Sequence, residues 1–123
     1  MDKKYTIILL KFFNKPGLII KPEGIIDNSI MTGEYLIKWV EINDYSVVKT
    51  NGKAFMLLFV DDPQHFIEEA NWFAKFRLKW NMRRYKTPLL ISTTYLQCSF
   101  EELKNAILEG MKNAALARRA AKQ

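Results

Sequence analysis

The sequence predicts an α+β fold, in which a mixed sheet of four to six strands packs against two helices. Short runs of β-branched and aromatic residues fill much of the first half of the chain. Asn51-Gly52 separates two such runs and predicts a hairpin, because both central residues of its turn need positive φ. Two segments in the second half repeat apolar residues at helical spacing. The length of 123 residues predicts a single compact domain over 1–123, with 118–123 as a basic C-terminal extension.

The first third of the chain predicts two strands joined by a turn, followed by a loop. Residues 5–13 are almost uninterrupted apolar and β-favouring residues, which predicts a strand buried on both faces. The segment from Asn14 to Gly17 predicts a turn, and residues 18–21 a short return strand stopped by a proline. Residues 22–33 contain two glycines and several polar residues, and we expect a loop there.

The middle of the chain predicts three strands, of which residues 47–50 are the first arm of the hairpin, and the start of a helix. Residues 34–42 alternate enough for a half-buried strand, and residues 54–60 are apolar throughout, as in a central strand. Asp62 and Pro63 then suit the N-cap and the first position of a helix, which we expect to run to about Tyr85.

The last third of the chain predicts a strand and a final helix. A strand over 88–96 would complete a βαβ-like unit, right-handed if parallel. Ser99 and Glu102 form a capping box for a helix from Phe100. Gly110 lies at the edge of the apolar stripe of this helix, where it permits close approach of another element. The residues of that stripe are Phe100, Leu103, Ile107, Met111 and Ala114.

The first predicted helix has aromatic and arginine side chains that do not fit a simple division into one apolar and one polar face. Its apolar face consists of Phe66, Ile67, Ala70, Phe73, Ala74 and Leu78. Its polar arc consists of Glu68, Asn71, Lys75, Lys79, Arg83 and Lys86. Phe76 and Trp80 extend the edge of the apolar face, Trp72 falls within the polar arc, and Arg77 and Arg84 fall within the apolar arc. Either the helix outruns the sheet or these side chains form a contact surface.

Positive charge is concentrated in two places. The chain has a formal net charge of +6, and all its arginines lie in two short stretches. Residues 75–86 hold six basic residues and no acid, and four more basic residues follow Glu109. Such a balance favours a polyanionic partner, although a solvated face that keeps the protein soluble explains it equally well. The cations at the end of the last helix also complement its dipole.

The leading interpretation is a small, basic, non-enzymatic protein that associates with nucleic acid or a nucleoprotein. Its predicted phosphate-binding residues are Lys75, Lys79, Arg83, Arg84, Lys86, Arg118, Arg119 and Lys122. Its predicted stacking or interface residues are Trp72, Trp80 and Tyr85. The alternative is a protein-binding inhibitor, adaptor or self-assembling subunit, since the aromatic content exceeds what a small core needs. Basic chains of this size are common among accessory proteins of viruses and mobile elements.

The sequence offers little for catalysis. One cysteine and one histidine exclude an internal disulfide and a His-rich metal site, and no cofactor motif is present. We interpret Cys98 as a packing residue, with a pKa slightly lowered by the helix start that follows. Asp61 and Asp62 are read as helix-capping residues, and a small metal-dependent nuclease using them is kept as a third alternative. We expect a cytoplasmic protein with no signal peptide, membrane partner or cofactor.

Overall fold

The computed structural model describes residues 6–12, 14–28, 36–94 and 96–121. Within them the chain forms seven strands, a 3-10 helix (Trp39–Glu41) and three α-helices. The strands are β1 (Thr6–Leu9), β2 (Pro16–Ile20), β3 (Gly24–Asp27), β4 (Leu36–Lys38), β5 (Ile42–Thr50), β6 (Lys53–Val60) and β7 (Leu89–Ser92). The helices are α1 (Pro63–Glu69), α2 (Trp72–Tyr85) and α3 (Phe100–Ala121).

The α+β class is confirmed, but the strands are divided between two sheets. Strands β1 to β4 form one sheet in sequence order, and β5, β6 and β7 form the other. Every pairing is antiparallel, including that of β6 with β7. The single mixed sheet expected from the sequence is therefore replaced by two antiparallel sheets, and in the expected βαβ-like unit β6 and β7 are antiparallel. The two-helix connection returns the chain to β6 from the same end at which it left.

The predicted hairpin is confirmed at the expected turn. Strands β5 and β6 pair through to Thr50 and Lys53, and the turn between them has φ of 50° at Asn51 and 76° at Gly52. Asparagine and glycine tolerate this left-handed conformation better than other residues.

The N-terminal strand is an edge strand and not a buried one. Among the described strands β1 pairs with β2 alone, and Ile7 is 55% exposed. The segment after β7 covers part of this edge, because Leu10 bridges to Leu96 and the Gln97 N–H donates to the Leu9 carbonyl at 2.8 Å. The region expected to be a loop contains β3, while residues 29–35 lie outside the described residues.

One cluster of buried side chains joins both sheets and α3. The four-stranded sheet contributes Ile8, Leu18, Ile20, Ile25 and Ile37; the three-stranded sheet contributes Met56, Leu58, Val60, Leu89 and Ile91; and α3 contributes Leu103 and Ile107. Burying this much aliphatic surface is the main stabilising contribution to the fold. Leu57 is also buried but, by strand alternation, faces the other side of β6.

The expected helix over 63–85 is two helices. Asp62 and Pro63 begin α1 as predicted, and the Asp62 carboxylate accepts from the His65 N–H at 3.3 Å. Ala70 and Asn71 then have extended backbone, with ψ of 154° and 168°. The Asn71 side chain accepts from the Ala74 N–H at 2.8 Å and so begins α2 afresh. The apolar residues of α1 and α2 therefore need not share one helical phase.

The close approach expected at Gly110 is confirmed. The ring of Trp39, in the 3-10 helix, lies against the Gly110 backbone. Its indole N–H donates to the Lys21 carbonyl at 2.9 Å, and only 4% of the residue is exposed. This contact fixes α3 against the four-stranded sheet. Among the described residues, no helix has the length and apolar character needed to cross a membrane.

Candidate functional site

The helix α2 is held to the body of the protein along one face. Ala74 and Leu78 are buried on this face, and α2 packs against α1 and β7. Asn81 is buried one turn further on, where its side-chain amide donates to the Pro88 carbonyl at 3.1 Å. A buried amide without a partner would be costly, so this bond both satisfies Asn81 and fixes the helix to the next strand.

The C-terminal end of α2 is tied to the central strand. Lys86 ends the helix in the left-handed conformation, with φ of 70°. The next residue, Thr87, is buried; its hydroxyl donates to the Leu58 carbonyl at 2.6 Å and accepts from the Leu89 N–H at 3.4 Å. The helix therefore begins at a defined residue, Asn71, and its C-terminal end is fixed to β6 through Thr87.

The outer face of α2 exposes four large aromatic side chains. The exposed fractions are 74% for Trp72, 58% for Phe73, 71% for Phe76 and 62% for Trp80. The Trp72 and Phe73 rings meet edge to face, with centroids 5.9 Å apart and planes at 81°. We call these four residues the aromatic face. Isolated exposed apolar side chains are ordinary, but four neighbouring rings on one helix face form a larger exposed apolar area than single residues do.

Cations surround the aromatic face. Arg77, Lys79, Arg83 and Arg84 are exposed on α2, and Lys75 is half-buried beside them. With Lys86, they give residues 70–100 six basic side chains and no acid, which equals the formal net charge of the whole chain. Such a local excess of positive charge produces a positive electrostatic potential, which attracts polyanions.

The exposure of Phe73 overturns its assignment to the buried face. A continuous helix would align Phe73 with Phe66 and Ile67, but the break at Ala70 and Asn71 separates their phases. Within α2 the buried arc is set by Ala74 and Leu78, and Phe73 lies outside it. The sequence signal for this break was Asn71 itself, since asparagine is a strong N-cap residue.

The predicted stacking residues do not all lie together. Trp72 and Trp80 belong to the aromatic face, whereas Tyr85 is half-buried and lies about 140° around the helix from Trp80. The Arg84 guanidinium lies 5.6 Å from the centroid of the Tyr85 ring, within the range of a cation–π contact. The guanidinium is thus held near the end of α2.

The second basic segment has different neighbours. Helix α3 packs against the 3-10 helix and β2, whereas α2 packs against α1 and β7. Residues 115–121 are all exposed, including Arg118 and Arg119, so the last two turns of α3 carry their cations in solvent. Lys122 lies outside the described residues.

The remaining candidates have structural explanations. Asp62 caps α1, and the Asp61 N–H donates to the Glu41 carbonyl at 3.0 Å. No group of three or more His, Cys, Asp or Glu residues suited to a metal occurs in the described part of the chain.

The pKa of Cys98 is raised and not lowered. Burial of the thiol and the Glu102 carboxylate raise this pKa, and the smaller effect of Lys11 opposes them, so the lowering expected from the helix start is wrong. That helix start is already satisfied by the capping box of Ser99 and Glu102, at 2.8 and 3.1 Å.

Comparison with known proteins gives no relative for this chain: no protein-family model, no curated protein and no solved structure matches it.

Proposed function

We propose that this protein binds nucleic acid through the outer face of α2. The observation that carries the proposal is the aromatic face, exposed beside five cations of the same helix in a segment that lacks acidic residues. Arginine and lysine supply attraction to phosphate, and exposed rings supply apolar contact with bases. A face that served only solubility would have charges without four exposed rings.

The end of α3 fits the same proposal as a second point of phosphate contact. Arg118 and Arg119 are exposed on helical turns that bury nothing of their own. Because phosphate contacts carry no base-sequence information, these residues would add affinity without sequence preference. They are secondary to α2, since the large exposed apolar side chain in the described part of α3 is the aliphatic Leu116 and not an aromatic ring.

The first experiment measures binding to fluorescent single- and double-stranded RNA and DNA over a salt series, with protein purified free of nucleic acid. Binding that weakens log-linearly with salt supports the proposal, because released counterions drive such association. The double variant Arg83→Glu/Arg84→Glu should abolish binding, since it places two negative charges on the exposed end of α2.

The matched control is Lys49→Glu/Lys53→Glu, which makes the same change in net charge at the exposed tip of the β5–β6 hairpin. The control should lose only the affinity expected from the change in net charge and keep a salt-dependent signal. Equal affinities for the Arg83/Arg84 variant and the unmodified protein would exclude α2 as the binding surface.

A protein partner is the second candidate, and the size of the aromatic face favours it. Trp and Tyr dominate the energetics of protein interfaces, and Trp72 and Trp80 are both well exposed. Mass measurement at high protein concentration tests self-association, which Trp80→Asp should disrupt.

The nuclease alternative is tested by adding Mg²⁺ to the binding assay. Cleavage of the nucleic acid that is lost in Asp61→Asn would support this alternative, and absence of cleavage would exclude it.

A further inference from the structure

We infer that the nucleic acid taken by the aromatic face is single-stranded, with unpaired bases stacking on Trp72, Phe76 and Trp80. This inference rests on the proposed function of α2. It specifies which class of nucleic acid binds, and it assigns the aromatic residues of α2 to the bases and the basic residues of α2 to the phosphates.

The three rings are spaced for separate bases. Trp72, Phe76 and Trp80 recur every fourth residue, so they follow one another along one side of the helix at intervals of about 6 Å. Each is more than 60% exposed, so a ring face is open to a ligand. Phe73 lies against Trp72 and supports its ring edge to face.

A duplex does not match this spacing. Base pairs in a duplex follow at ~3.4 Å and cover each other's faces, so no base face is open to a side chain. Stacking on the rings would first require bases to be unpaired and flipped, which costs a few kcal/mol per base. A single strand has open base faces and extends to the longer spacing, so the rings favour it.

A row of cations runs beside the row of rings. Lys75 and Lys79 each precede a ring residue, Phe76 and Trp80, and Arg83 continues their fourfold spacing. In an extended strand the bases project to one side of the phosphates. A strand along α2 would therefore place bases on the rings and phosphates on Lys75, Lys79 and Arg83. These three contacts alone contribute about −2 to the slope of log affinity against log salt, and contacts at the end of α3 would add to it.

The helix that carries the aromatic face is ordered without the ligand. The Asn71 cap begins α2, and the Asn81 bond to the Pro88 carbonyl and the Thr87 bond to the Leu58 carbonyl fix it to the body; none of these bonds involves a ring or a cation of the outer face. Binding then orders the strand but not the helix, which lowers the entropic cost of association. Substituting the exposed rings should likewise leave the fold intact.

The test compares an oligothymidylate of about 12 nucleotides, within the site sizes of single-strand-binding domains, with a blunt-ended DNA duplex of about 12 base pairs, which has no unpaired loop. Trp72→Ala/Trp80→Ala should weaken oligothymidylate binding by at least about tenfold, because two stacking contacts are lost. Its salt slope should stay unchanged, since no phosphate contact is removed. Trp72→Tyr/Trp80→Tyr should restore most of the affinity, and Val40→Ala/Leu116→Ala, which removes exposed apolar side chains elsewhere, should have no effect.

Tryptophan fluorescence gives a second readout. Stacked bases should quench Trp72 and Trp80, while Trp39 is buried and bonded to the Lys21 carbonyl and should not respond. At least tenfold preference for the single strand, quenching and an unchanged slope would support the inference. Equal or tighter duplex binding, or a Trp72/Trp80 variant that binds normally, would overturn it and leave the proposed function standing. Absence of binding to every nucleic acid would overturn both.

Discussion

Replacing Gly110 by alanine should destabilise the protein, although alanine is the better helix former. A Cβ at position 110 would overlap the Trp39 ring, whose Cε2 would lie 2.9 Å away and whose Cζ2 and Cη2 would lie closer still. Ordinary contact between carbon atoms begins at about 3.5 Å. The ring has little freedom to move aside, because it is 4% exposed and its N–H is bonded to the Lys21 carbonyl.

The expected loss follows from two opposing effects. Overpacking a well-packed site costs about 1–3 kcal/mol, and a ring held by a hydrogen bond places Gly110 at the upper end of that range. In a helix interior, alanine stabilises the helix by about 1 kcal/mol relative to glycine, which offsets part of this cost. The free energy of unfolding should therefore fall by roughly 2 kcal/mol, which lowers Tm by about 8 °C in a protein of this size.

Urea denaturation of a double-mutant cycle provides the assay. In a Trp39→Phe background the outer part of the indole is gone, so Gly110→Ala should cost much less there or become stabilising by up to about 1 kcal/mol. Asn105→Ala, on an exposed position of the same helix, controls for helix propensity and should be neutral or slightly stabilising. A Gly110→Ala variant as stable as the unmodified protein would refute the close approach of α3 to Trp39.

Two further predictions concern the start of α2 and the single thiol. Asn71→Ala should lower the free energy of unfolding by about 1 kcal/mol in urea, because the cap to the Ala74 N–H is lost, whereas Asn71→Asp should retain most of the stability; equal stability of Asn71→Ala would show that the cap contributes nothing. Because burial and Glu102 raise the pKa of Cys98 in the folded protein above that of the unfolded chain, the thiol's contribution to stability is present at neutral pH and lost as pH rises through the raised pKa. Urea titrations should therefore show the unmodified protein losing stability relative to Cys98→Ser at alkaline pH, and parallel pH profiles would contradict the shift.

The candidate site was partly predictable from the sequence. The basic run over 75–86, with Trp80 inside it and Trp72 three residues before it, can be read from the sequence, and both rings are exposed. Phe73 was misassigned because one helical phase was extended across Ala70 and Asn71. A two-residue break turns the second helix relative to the first, and such a break depends on packing as much as on the cap residue.

Features that depend on residues close together in the chain could be predicted without the structure. The Asn51-Gly52 turn, the Asp62 cap with Pro63 and the box of Ser99 with Glu102 all form as expected, since each involves residues within about one helical turn. The α+β class also followed, because the lengths and periods of apolar runs reflect local geometry.

Tertiary structure alone decided which strands pair, which helix face is buried and where Trp39 lies. Antiparallel and parallel pairing of β6 with β7 use the same residues, so only the path of the two-helix connection selects between them. An aromatic side chain on α2 suits a core as well as a surface, and its exposure depends on how much of the helix the sheet covers. These outcomes arise from contacts between residues distant in sequence, whose free energies are not encoded in any one local pattern.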